Sequence, residues 1–316
     1  MPSTVPQLNR RRFLLGVAAA SVLAACGSSD GDTGSSGGDT GSSDGDAGSS
    51  PVPSGSGPAN GAGSSPVADG RYVLVQRFPQ DVQEVGTQRL PVSLASADGG
   101  LIQDGPPALS AVVTDVDGQA LGEPITAVRR DVAPGPYYAF RTEITDAGVF
   151  YLVVDGGPEQ GAAFQVMDAG TVAVPGPGDA LPPFDTPTIE DPRGVDPVCT
   201  RDPEPCPFHD LTLSEALESG KGVVYLIGTP AFCQTGTCAP ALESIIDIAD
   251  DYADRYVFVH AEVYTDDTAT VPAPAIEAAG LTYEPALFVT DADGVVVERL
   301  DAVWNRDELV ETLDRI

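Results

Sequence analysis

The sequence predicts three parts in series: a disordered N-terminal tether, an all-β sandwich, and an α/β domain with a mixed sheet and helices on both faces. Three observations carry this expectation. Residues 27–66 are Gly, Ser, Asp and Thr with almost no apolar side chains, so they cannot bury enough surface to offset chain entropy. Between about residues 70 and 170 the hydrophobic period is two, in short runs broken by turn signals. From residue 196 to 316 short apolar runs alternate with stretches of helical spacing, the pattern of crossover units.

The 316 residues suit about two domains. The formal net charge is -31 and Lys221 is the one lysine. Nucleic-acid binding needs basic patches that displace counterions, so that class of partner is excluded. The acidity reads as a solubility device, or as a sign of salty surroundings, ahead of a surface recruited for a basic partner.

Residues 1–26 read as an address. Asn9-Arg10-Arg11-Arg12-Phe13-Leu14 resembles a twin-arginine export signal, with Arg10 and Arg11 as the arginine pair and Asn9 where the motif has a hydroxyl residue. The apolar stretch from Leu14 to Ala25 is shorter than the roughly 20 residues of a membrane span and fits a signal peptide. It ends in Leu23-Ala24-Ala25-Cys26, which resembles a bacterial lipobox. That resemblance implies that Cys26 is the first mature residue, carries lipid, and anchors the protein to the extracytoplasmic face of a bacterial membrane without spanning it. The residue 27–66 tether then holds the folded part away from the bilayer.

In the 70–170 segment the runs are Tyr72–Val75, Arg89–Leu94, Ala111–Thr114, Ile125–Val128, Tyr137–Thr142, Val149–Val154 and Ala163–Val166, rich in β-branched and aromatic residues. Asp117-Gly118, Asp146-Ala147-Gly148 and Asp155-Gly156-Gly157 punctuate them. Asp146-x-Gly148-x-Phe150-Tyr151 resembles the corner before a late strand of immunoglobulin-like domains, which implies an immunoglobulin-like sandwich serving as a spacer or binding module. Residues 171–195, dense in Pro, Gly and Asp, read as a stiffer linker.

The last segment, 196–316, begins with a proline-rich loop holding Cys199 and Cys206. Thr212-Leu213-Ser214-Glu215 fits a capping box, and Gly220 closes the short helix it opens. An apolar strand, Val223–Ile227, leads into a loop with Cys233 and Cys238 separated by four residues. Leu242, Ile245, Ile246, Ala249 and Ala253 then recur at helical spacing over about residues 240–254. A second strand (Tyr256–Val263), a short helix (Ala275–Ala279), a hairpin turning at Asp293-Gly294 and a final helix capped by Asn305 complete the order.

This order, with the cysteine pair between a buried strand and a helix, resembles a thioredoxin-like domain over about 120 residues. Thr282-Tyr283-Glu284-Pro285-Ala286-Leu287 matches the place where that family has a cis-proline facing the cysteine pair, and Pro285 is the matching residue. The resemblance implies thiol-disulfide exchange, with Cys233 as nucleophile and Cys238 as resolver. A helix N-terminus beside the pair favours the thiolate. Its partners would be the thiols and disulfides of exported proteins together with a membrane redox donor or acceptor. Three features depart from the family: the spacing is Cys-x-x-x-x-Cys instead of Cys-x-x-Cys, Phe232 replaces tryptophan, and Val223–Ile227 lacks the buried aspartate that accepts a proton.

With Cys26 assigned to lipid, four cysteines remain of the five. They allow three pairings, of which local closeness favours Cys199 with Cys206 as a structural disulfide and Cys233 with Cys238. Cys199 and Cys206 lack the spacing of a zinc knuckle, and no metal or other cofactor is expected. His260 reads as a core or edge residue of its strand and His209 as part of the loop. A second reading makes the α/β domain redox-silent and the protein a cell-surface binding or scaffold module with structural disulfides. A third resembles the copper-chaperone branch, since soft thiolates suit Cu(I), but Ala239 follows Cys238 where that branch has proline. A peroxidatic role is weaker still, because Thr229 does not stand at that family's distance before Cys233.

Overall fold

In a computed structural model, which describes residues 71–316, alternation of buried and solvent-facing side chains builds the seven strands of the first half. They are β1 (Val73–Gln76), β2 (Gly86–Ala95), β3 (Ala108–Thr114), β4 (Ile125–Arg130), β5 (Tyr137–Ile144), β6 (Gly148–Val154) and β7 (Ala162–Val166). β3, β6 and β7 alternate residue by residue, so each sends one face inward. Leu74, Leu90, Phe140, Leu152 and Phe164 fill the interior. Phe78 meets Phe164 edge-on at 6.1 Å.

These strands make one antiparallel sheet in the order β1-β2-β5-β4-β3-β6-β7. β4 joins what would otherwise be two sheets: Ile125 to Val128 pair with β3, and Arg129 and Arg130 pair with β5. The outer strands approach each other as well. The Gln76 side chain donates to the Ala163 carbonyl at 2.6 Å, and Tyr72 N–H donates to the Gly156 carbonyl at 3.0 Å. The sheet is therefore barrel-like and nearly closed, which covers edges that an open sheet would expose.

The second half contains α1 (Leu213–Leu217), β8 (Gly222–Ile227), α2 (Cys238–Tyr252), β9 (Tyr256–Ala261), α3 (Pro274–Ala278), β10 (Ala286–Thr290), β11 (Val296–Asp301) and α4 (Arg306–Arg315). Its four strands lie in the order β11-β10-β8-β9, with β8–β9 parallel and the other pairings antiparallel. One face packs Leu242, Ile245 and Ile248 of α2 and Leu309 and Leu313 of α4 around Trp304. The other face is covered by α1 and α3, of five residues each, and by irregular chain carrying Val82, Val174 and Leu181.

These findings correct the fold class expected from the sequence. The described residues are mostly β, 33% strand against 14% helix. Taken together they do not form an α/β thioredoxin-like fold, because most of their strands lie in the nearly closed barrel-like sheet, and the first half is a single curved sheet where an immunoglobulin-like two-sheet sandwich was expected. The physical reason is that period-two patterning identifies strands but not their partners, and here β4 changes partner midway along its length. The 171–195 segment packs on the second half, with Val174 and Leu181 buried and Ala180 bridging to Val295.

The described residues, 71–316, belong to one compact unit. Its halves meet through buried charge. Arg89 of β2 grips Glu308 of α4 through Nε and Nη2 at 2.8 and 2.7 Å, and it also donates to the Asp301 and Val303 carbonyls. Tyr137 donates to Glu308 at 2.6 Å. β2 can do this because Leu90, Val92 and Leu94 face the barrel core while Arg89 faces the second half. The tether, Arg10, Arg11 and Cys26 lie outside the described residues.

Candidate active site

β8 is buried at every position and runs out at Gly228-Thr229, delivering the cysteine loop to the start of α2. Residues 233–236 close a turn in which Gly236 N–H donates to the Cys233 carbonyl at 3.1 Å. Gly236 has φ +68°, a left-handed conformation that side-chain-bearing residues rarely adopt. This turn absorbs the longer spacing and folds Cys233 back onto the helix. Thr237, the residue before α2, makes no side-chain cap. The sulfur takes that place: Cys238 N–H donates to Cys233 Sγ at 3.3 Å.

The two thiols are unequal. Cys233 is half-buried and Cys238 is fully buried. A hydrogen bond from the Cys238 thiol, helped by Thr235 at 3.2 Å and by the Cys238 and Thr237 backbone, brings Cys233 down to about 5 against the opposing effect of burial. Burial, then Cys233 itself, pushes the Cys238 thiol far up. The geometry thus separates an accessible anion from a buried neutral thiol.

Glu284 completes the group. Its carboxylate and the two sulfurs lie within 4.8 Å of one another. Burial, reinforced by the charges of Cys233 and Glu262, raises Glu284 to about 8, and its Oε2 has no hydrogen-bond partner among the described residues. Sequence reasoning missed Glu284 because it sought an acid in β8, whereas the carboxylate arrives from the second residue before β10. Its position next to Pro285 was the signal available. The Glu284–Pro285 peptide is cis. Pro285 lies against the same strand end, where a Cβ on Gly228 would stand 3.4 Å from the Pro285 Cβ and 3.7 Å from that of Cys238.

The surroundings are mixed. Phe232, next to Cys233, meets Tyr264 edge-on at 6.5 Å. Arg77 reaches in from the first half. Its own burial lowers its pKa, the Cys233 charge acts to raise it, and its Nη2 is buried without a hydrogen-bond partner among the described residues.

Cys199 and Cys206 do not join this site. All four described cysteines are free thiols, so the disulfides expected for Cys199–Cys206 and Cys233–Cys238 are not formed. Cys199 and Cys206 instead lie buried with His209 and His260, the two histidines that the sequence left as a loop residue and a core or edge residue. Cys26, Arg10 and Arg11 fall outside the described residues. No family model matches the chain, and no curated protein matches it.

Proposed function

We propose that the chain is a thiol-disulfide oxidoreductase acting on the thiols and disulfides of exported proteins. The observation that carries this reading is the asymmetry of the pair: a half-buried Cys233 held near 5 beside a buried, protonated Cys238. A purely structural crosslink has no need of a stabilised thiolate, whereas exchange requires one.

The steps balance. Cys233 thiolate attacks one sulfur of a substrate disulfide, forming a mixed disulfide and releasing the other substrate sulfur as a thiolate that takes up a proton. Cys238 gives its proton to Glu284, and its sulfur attacks Cys233 Sγ. The Cys233–Cys238 disulfide forms, and the second substrate thiolate leaves and is protonated. The substrate gains two electrons and the pair loses two; run backwards, the same steps oxidise a substrate dithiol. A dithiol or disulfide partner at the membrane must reset the pair after each turnover. Glu284 fits the transfer because a carboxyl near 8 can exchange a proton close to neutral pH.

The Arg10-Arg11 pair and Cys26 support a lipid-anchored location on the extracytoplasmic face of a bacterial membrane. The test is a redox titration of the full chain against dithiothreitol and glutathione, following Cys233 and Cys238 by alkylation and mass spectrometry. A midpoint above about -300 mV is expected for an exchanging pair. A pair that stays oxidised below that potential is a structural crosslink, and the binding or scaffold reading then replaces this one.

A further inference from the structure

Outside the active site, four chemistry-bearing side chains converge in the core. Cys199 and Cys206 come from the proline-rich loop, His209 follows that loop, and His260 projects from β9. All four are buried, and their ligand atoms lie within 4.8 Å of one another. We propose that Cys199, Cys206, His209 and His260 form a closed, four-ligand structural zinc site.

Distances carry the argument. His260 Nδ1 lies 3.7 Å from Cys199 Sγ, 3.4 Å from Cys206 Sγ and 3.1 Å from His209 Nε2. With Zn–S near 2.3 Å and Zn–N near 2.05 Å, the edges of a tetrahedron are about 3.6 Å for sulfur to nitrogen and about 3.3 Å for nitrogen to nitrogen. The three edges that meet at His260 already have about those dimensions, the remaining ones lie within 4.8 Å, and two thiolates with two imidazoles are a donor set that tetrahedral zinc takes.

Hydrogen-bond counting points the same way. His260 Nε2 is 2.9 Å from the Gly228 carbonyl, which can only accept, so that nitrogen carries the proton and Nδ1 presents its lone pair to the cluster. One lone pair faces three neighbouring ligand atoms, and a single hydrogen bond would use it up. A central cation engages all four donors at once. The Gly228 carbonyl then plays the outer role that fixes the ring of a metal-bound histidine. Binding converts two thiols to thiolates and releases two protons. The resulting centre, Zn²⁺ with two thiolates and two neutral imidazoles, carries no net charge, as an apolar core requires.

A zinc ion here would pin the residue 199–209 loop to β9, directly behind Gly228 and the base of the active-site loop. The site replaces the disulfide expected for Cys199 and Cys206, and it shares no ligand with Cys233 and Cys238.

The experiment uses the full chain purified under reducing conditions, with Zn²⁺ and Co²⁺ as probes. Native mass spectrometry should show one zinc per chain with the loss of two protons. The Co²⁺ form should show thiolate-to-cobalt charge transfer and the strong visible bands of a tetrahedral centre. Charge-transfer absorbance should fall to about half in Cys206→Ser, where one thiolate remains, and stay unchanged in the Cys233→Ser, Cys238→Ser double variant. The wild-type spectra decide the matter even if Cys206→Ser fails to fold. A six-coordinate cobalt spectrum, no 1:1 binding, or a charge-transfer band lost with Cys233 and Cys238 overturns the proposal. None of these results depends on whether the active-site pair exchanges disulfides.

Discussion

Cys233 and Glu284 set the chemistry between them, one held below its ordinary range and the other above it. A thiol near 5 is mostly ionised at pH 7, so its alkylation by iodoacetamide should be nearly constant from pH 6.5 to 8 and fall below about pH 5. A rate still climbing through pH 8 would show an unperturbed thiol. The same shift bears on the redox potential, because stabilising the thiolate stabilises the reduced pair. Cys233 falls between a thiol near 7 in a reducing protein and one near 3.5 in a strong oxidant, so the midpoint should lie between about -270 and -120 mV. In the proposed exchange Glu284 acts on the resolving step. Glu284→Gln should slow resolution of the mixed disulfide by about 100-fold while leaving Cys233 alkylation nearly unchanged. In the wild type that step should accelerate as pH rises and Glu284 loses its proton, levelling off below the value of about 8 that holds beside the Cys233 thiolate, because the mixed disulfide removes that charge. Equal losses in alkylation and resolution would mean that the substitution only disturbs the fold of the site.

At the scale of elements, the site depends on how a turn meets a helix. The four residues between Cys233 and Cys238 return the first sulfur to the α2 N-terminus because Gly236 takes a left-handed conformation. Gly236→Val should strain that turn, weaken the Cys238 N–H contact and move the alkylation pKa of Cys233 up toward its ordinary value near 8.5. An unchanged pKa would show that the turn is not what holds the sulfur. Much at this scale was legible in the sequence. The capping box at Thr212 forms with Glu215, Asn305 caps α4 by accepting from Glu308 N–H, and all seven short runs of the first half become strands. Such features depend on side chains a few residues apart. What was not legible depends on distant partners. Nothing local in Ile125–Arg130 shows that one strand will serve both β3 and β5. Glu284 comes to the cysteines from the start of β10, about fifty residues along the chain, and His260 comes to Cys206 from a strand that looks like ordinary core.

At the scale of the whole molecule, the buried ion pair between β2 and α4 joins the halves and, with Arg77, brings the first half to the candidate site. Arg89 and Glu308 are each less than a tenth exposed, and the hydrogen-bond donors to the Glu308 carboxylate, Arg89 and Tyr137, both belong to the first half. Burial alone would raise Glu308, but the Arg89 charge and hydrogen bonds, with Tyr137, bring it down to about 2. A carboxylate depressed on folding adds stability above its unfolded pKa, near 4.3, and that contribution is lost as pH falls toward 2. Glu308→Gln should therefore cost about 3–5 kcal/mol at pH 7, because Arg89 is left buried without its partner. It should also flatten the loss of stability between pH 4.5 and 2.5. Urea unfolding at fixed salt, followed by tryptophan fluorescence from Trp304 beneath α4, measures both. The variant curve should approach the wild-type curve only at the acid end. Equal spacing between the two curves at pH 7 and pH 2.5 would mean that Glu308 contributes through packing alone and that charge does not hold the halves together.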